Sequence, residues 1–185
     1  MRNSSEPIDT IELDLPKMAW QNLFWTIFLM ITFFLVNGFV HHHFTFHITF
    51  LSCLLFIVIY IVLIILHEIC HLLGFILFGK VPLSSLKYGV NFKMGVAYAT
   101  TTKLLSVKAM KRALLLPFWL TGVIPAAIGF MVNSNLWLFL GAWLIAGAIG
   151  DFMMYTQLQK YPENYLVKDD PHYPKLYIYI NEELD

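Results

Sequence analysis

Acidic residues are nearly missing from the interior of this chain. Between Pro16 and Pro162 there are only two, Glu68 and Asp151, and every other carboxylate lies toward one of the two ends. Charge of either sign is scarce: 13% of the residues are charged, against 58% hydrophobic and 16% aromatic. So little charge cannot clothe a water-facing globule, and the composition points to a membrane protein of several spans. The formal net charge is zero, so there is no global attraction to nucleic acid, and no nucleic-acid partner is expected. Cysteine is also sparse. Cys53 and Cys70 both sit in apolar runs, which argues against a disulfide framework and for free thiols packed among hydrophobes. The opening "MRNSSEPIDTIELDLPK" has no short apolar core with a cleavage pattern, so no secretory signal peptide is expected and the first apolar run should remain as an anchor. No internal repeat stands out.

Long apolar runs are what the chain has in their place. The first expected span covers roughly residues 20 to 40, with Trp20 and Trp25 near an interface, and the second covers about 50 to 79, closed by Gly79 and Pro82. A third begins at about Ala113 and carries Pro117, Thr121 and Pro125 at four-residue steps on one face, which predicts a kink. The fourth runs from about Leu136 to Tyr155, with a small-residue stripe at Ala142, Ala146 and Gly150 that permits close helix contact. From Lys80 to Arg112 seven basic residues occur without an acid, which places this loop on the cytoplasmic side. Within it "YGVNFKMGVAYATT" alternates with the period of a strand, and the tail ends in the strand-like "KLYIYI".

The expected fold class is therefore an all-α membrane protein of four transmembrane helices with a small cytoplasmic β-hairpin or strand element. Residues 1–18 form a cytoplasmic N-terminal segment, 19–158 the four-span membrane domain and 159–185 a cytoplasmic tail. Localisation follows as the cell membrane, multi-pass, with both termini cytoplasmic.

An acid inside a span is costly, so each of the two needs a reason. In this topology the second and fourth spans run in the same direction. His67 lies about 17 residues from the outer end of its span and Asp151 about 16 from the outer end of its own, roughly 25 Å each at helical rise. They come to similar depth. "HEICH" is H-E-x-x-H: on a helix, His67 and His71 at i and i+4 present two imidazoles on one face, spaced for one zinc ion. A catalytic zinc needs a third protein ligand, for which Asp151 is the candidate. Glu68 would take the proton of the attacking water and later deliver it to the leaving amine. The metal's charge offsets the cost of burying these groups. A hydrogen-bonded polar knot that merely orients helices is the competing reading of the same residues.

"HEICHLLG" in one span, a basic strand-bearing loop, "LLLPF" in the next span, then "GDFMMYTQLQKYP" and "LVKDDP" followed by an aromatic strand together resemble a bacterial zincin-type peptidase family of unknown function. More distantly the plan is similar to the site-2 proteases. The resemblance runs from about Leu51 to Ile180. It implies a membrane-embedded zinc peptidase with His67, His71 and Asp151 as metal ligands and Glu68 as base. The chain departs from the site-2 pattern in lacking an Asn-Pro-x-Asp-Gly stretch, since Asp151 follows Gly150 and precedes Phe152, and this leaves the oxyanion partner unassigned. It departs from zincins with a glutamate as third ligand as well, because Glu163, Glu182 and Glu183 all lie in the tail.

The implied activity is hydrolysis of membrane-tethered or membrane-spanning peptides near the cytoplasmic face, with Zn2+ as cofactor and the lipid bilayer as surroundings. A metal transporter or an inactive scaffold or immunity-type protein would use the same ligands without chemistry. Transport needs a continuous polar route, and between His47 and His67 the chain offers no ladder of acids or histidines. His41, His42, His43 and His47 read as an interfacial cluster or an outer metal site. The strand near Val90 to Thr100 reads as a structural hairpin capped by "KLYIYI", or as an edge for an extended substrate.

Overall fold

The computed structural model describes residues 6–44, 49–91, 96–170 and 173–181. Four helices are long and apolar enough to cross a membrane: Leu15–Val40 (α1), Phe50–Gly79 (α2), Val107–Met131 and Asn135–Leu158. The third is composite, with α3 (Val107–Pro117), a π-helical turn at Phe118–Val123 and α4 (Ile124–Met131). The fourth divides at Ala148 into α5 (Asn135–Gly147) and α6 (Ile149–Leu158). The strands are β1 (Asp9–Glu12), β2 (Leu86–Asn91), β3 (Val96–Thr101), β4 (Leu105–Ser106), β5 (Leu166–Asp169) and β6 (Lys175–Tyr179).

Two helices begin earlier than hydropathy alone predicts. α1 starts at Leu15 because Pro16 is tolerated in a first turn, where its missing N–H would have no partner anyway. α3 starts at Val107 because the end of the basic loop is amphipathic: Val107, Met110 and Ala113 are buried while Lys108 is exposed. At the end of α2 the left-handed residue is Lys80, with φ 53°. Gly79 serves differently, since a Cβ there would run into the Leu105 side chain.

The β structure is larger than a hairpin. β2 and β3 do pair as an antiparallel two-stranded sheet, from Leu86 opposite Thr101 to Asn91 opposite Val96. A second sheet has four antiparallel strands in the order β1-β6-β5-β4. "KLYIYI" therefore pairs with β1 and β5 and does not cap the β2–β3 hairpin. Residues 92–95 of the alternating stretch lie outside the described residues.

The chain forms two compact units. One comprises Met1–Asp14, Glu68–Leu116 and Gly150–Asp185. Its core joins Ile11, Leu176 and Ile178 of the sheet to Phe75 of α2, Val107, Met110 and Ala113 of α3 and Leu158 of α6. The other comprises Leu15–His67 and Pro117–Ile149. There α5 packs against α1 and α4. Gly141 makes the second contact close, because a Cβ on it would lie 2.6 Å from the Ala126 backbone nitrogen. The buried Ala142 and Ala146 keep that helix narrow as expected, and Leu63, Leu140 and Leu144 form a small apolar cluster.

Much apolar surface stays uncovered. Phe24, Ile31 and Leu35 of α1 and Leu54, Val58 and Ile65 of α2 are all exposed. Soluble monomers rarely show apolar patches of this extent, so these helix faces are suited to lipid.

Candidate metal centre

The H-E-x-x-H residues lie in the unbroken helix α2, on its packed side. Leu63, Cys70, His71, Gly74 and Phe75 are buried, whereas Ile65, Leu66, Ile69 and Leu73 are exposed. His67 and His71, one turn apart, fall on the buried stripe. Their helix does not need to distort to present both imidazoles together.

His71 is held from two directions. Its Nδ1 lies 3.2 Å from the carbonyl oxygen of Ala113 on α3, and its Nε2 lies 3.4 Å from Asp151 Oδ1. Gly74 allows the first contact: a Cβ there would meet the Ala113 Cα at 2.7 Å, so only glycine lets the two backbones come this close. Asp151 sits in the first turn of α6, just after the break at Ala148, where the positive end of the helix favours a carboxylate. His67 has its Nδ1 3.3 Å from Thr121 Oγ1, and the Thr121 hydroxyl donates to the Pro117 carbonyl at 2.8 Å.

His67, His71 and Asp151 are thus brought together, each offering one ligand atom, with these atoms all within 4.8 Å of one another. The donor set suits zinc. Two imidazoles and one carboxylate match a catalytic site that keeps a fourth position open. Two ligand atoms bound to one tetrahedral zinc stand roughly 3.3 Å apart, given bonds of about 2.0 Å. His71 Nε2 and Asp151 Oδ1 lie 3.4 Å apart, so that pair is close to this edge length. Glu68 follows His67 on α2, is partly buried, and lies within electrostatic reach of His71.

The other histidines and acids go elsewhere. His41 Nε2 donates to the Phe130 carbonyl at 2.8 Å, and among the described residues the outer histidines join no metal-holding group. His47 lies outside the described residues, as do Glu182 and Glu183. Glu163 bridges to Lys108 at 2.9 Å and to Lys111 at 3.8 Å, which is not the part of a metal ligand.

Three participants escaped the sequence reading. The Ala113 carbonyl is a backbone group and leaves no side-chain signal. Thr121 was legible as part of a Pro-x-x-x-Thr-x-x-x-Pro face, though its partner was not. Asp169 had the clearest signal: on β5 it follows Val167 by two residues, so it takes a core-facing position where alternation calls for a hydrophobe. Burial pushes its carboxyl up to about 7, opposed by the Thr100 hydroxyl and the His71 imidazole.

A family model matches residues 60–166, more than half of the chain, and the family is described as "Putative zincin peptidase". No curated protein and no solved structure matches the chain.

Proposed function

The chain belongs to this zincin peptidase family, and from that membership we propose that it is a membrane-embedded zinc metallopeptidase that cleaves peptide bonds of membrane-associated substrates near the cytoplasmic face. The convergence of His67, His71 and Asp151 beside Glu68 carries the proposal.

When bound by His67, His71 and Asp151, zinc supplies a Lewis acid that polarises the scissile carbonyl and makes water acidic enough to lose a proton near neutral pH. Glu68 takes that proton as water attacks the carbonyl carbon. It then gives the proton to the departing amine nitrogen, so the carboxylate ends each turnover as it began. Asp151 stands in the first turn of α6, where the helix N-terminus favours negative charge, and would supply the third ligand oxygen.

Placement near the cytoplasmic face is supported by the basic loop and by the four-stranded sheet. β1 precedes the first apolar helix, β4 follows the second, and β5 and β6 follow the fourth, yet all four are hydrogen-bonded in one sheet. Strands on opposite sides of a bilayer cannot pair. This pairing supports a topology with the N-terminal segment, the basic loop and the tail on one side, and the positive-inside rule favours the cytoplasm for that side.

The test is zinc content per chain in detergent-purified protein, with His67→Ala, Asp151→Ala and Glu68→Gln beside the parent. About one zinc is expected in the parent and in Glu68→Gln, with strong loss in the two ligand variants. Cleavage of a membrane-tethered peptide should fall about 100- to 10,000-fold in Glu68→Gln. A folded parent that takes up no zinc when supplied with it overturns the proposal. A loaded parent that cleaves no membrane peptide would leave a metal-binding scaffold.

A further inference from the structure

We propose that Pro117 and Thr121 are positioning residues that fix both histidine ligands in one tautomer, with the proton on Nδ1 and the Nε2 lone pair turned to the metal. The inference rests on the zinc-site reading above and deepens it.

The argument begins with a missing hydrogen. In a regular α-helix the N–H of residue 117 would bond to the carbonyl of residue 113, but proline has no N–H. The Ala113 carbonyl is left with a vacant lone pair inside the protein, a group that must find another donor. It finds His71: Nδ1 lies 3.2 Å from that oxygen. A carbonyl can only accept, so Nδ1 carries the proton, and Nε2 of the neutral ring is a bare lone pair. That Nε2 is the atom 3.4 Å from Asp151 Oδ1.

The second histidine is set by the same segment through another group. Thr121 is buried, and its one hydroxyl hydrogen goes to the Pro117 carbonyl at 2.8 Å. Toward His67 the oxygen can then act only as acceptor, and His67 Nδ1 stands 3.3 Å away. His67 therefore also keeps its proton on Nδ1. Two rings one turn apart on α2 thus receive the same instruction from positions 113 and 121, four residues to either side of Pro117.

The π-helical turn Phe118–Val123 belongs to this arrangement. A π turn inserts an extra residue into the helical ladder and recurs at functional sites. Here it follows the proline directly and contains Thr121. Without Pro117 the ladder would reclaim the Ala113 carbonyl for its own N–H.

The experiment measures metal binding, with no turnover involved. Parent, Thr121→Val, Thr121→Ser and Pro117→Ala are purified in detergent, zinc affinity is measured by competition with a chromophoric chelator, and the visible spectrum of each cobalt(II)-loaded protein is recorded. Loss of an outer hydrogen bond to a ligating histidine costs about 10- to 100-fold in metal affinity. That loss is expected in Thr121→Val and in Pro117→Ala, with an altered cobalt spectrum in both. Thr121→Ser keeps the acceptor oxygen and should match the parent in both readouts, and metal-free thermal unfolding should be alike in Thr121→Val and Thr121→Ser.

Equal zinc affinity and an unchanged cobalt spectrum in Thr121→Val overturn the proposal. So does equal weakening in Thr121→Val and Thr121→Ser, which would make Thr121 a packing residue. If Thr121→Val does not fold, Pro117→Ala decides with the same two outcomes. A folded parent that binds no zinc defeats the metallopeptidase reading and this proposal with it; a parent that binds zinc as tightly as every variant defeats this proposal alone.

Discussion

Asp169 is an acid whose ionisation the fold resists. Its carboxyl titrates at about 7 in the folded chain, chiefly through burial, against an ordinary value near 3.8. Between those limits the folded protein holds a proton that the unfolded chain has released. The contribution of this group to stability is therefore fully present below about pH 4 and is lost as pH rises toward 7. In the metal-free protein the unfolding midpoint should fall across this window, and Asp169→Asn, which has no proton to exchange, should flatten the fall. Thermal unfolding in detergent at several pH values checks this; an unchanged slope in the variant would rule out Asp169 as the source. For comparison, Glu163, paired with Lys108 and Lys111 at the surface, is held below the usual carboxylate range, but it is fully exposed and little stability should ride on it.

Helix contacts, one scale up, turn on individual glycines. A methyl group at Gly141 would meet Ala126 backbone atoms from 2.6 Å, whereas one at Gly147 would meet nothing within 4 Å. Gly141→Ala should accordingly destabilise by about 1–3 kcal/mol through overpacking, while Gly147→Ala should be close to neutral. Gly74→Ala adds a functional loss, because moving Ala113 away lengthens the bond to His71; weaker zinc binding than in Gly147→Ala is the expected reading. These elements were unevenly legible beforehand. The apolar helices and the convergence of His67, His71 and Asp151 could be read in advance because run length and the scarcity of acids are strong signals along one chain. β1 could not, since Asp9 opposite Ile178 is a pairing between distant parts of the sequence, and four residues of mixed polarity carry little pattern. The proline in the third helix was visible as a kink. What its missing N–H released was not visible, because that depends on which helix lies opposite.

For the molecule as a whole, four long apolar helices and wide apolar faces predict that extraction needs detergent and that the chain resists alkaline washing from membranes. Reporter fusions test the topology: fusions at the N-terminus, within the loop after Gly79 and at the C-terminus should all report the cytoplasm, and one after Val40 should report the outside. A discordant N-terminal fusion would contradict the sheet pairing as well as the charge rule.

That sheet also has a consequence for the order of assembly. β6 lies between β1 and β5, and among the described strands it is the last to be synthesised. Until it arrives β1 has no hydrogen-bonded neighbour, and Ile11 has no Leu176 or Ile178 to pack against. The unit that holds Glu68, His71 and Asp151 is thus completed by the final stretch of the described chain. A nascent chain halted before Lys175 would carry every candidate metal ligand yet lack the strand that closes the unit of His71 and Asp151. Assembly of that unit therefore waits on a strand made after the last of the candidate ligands, Asp151.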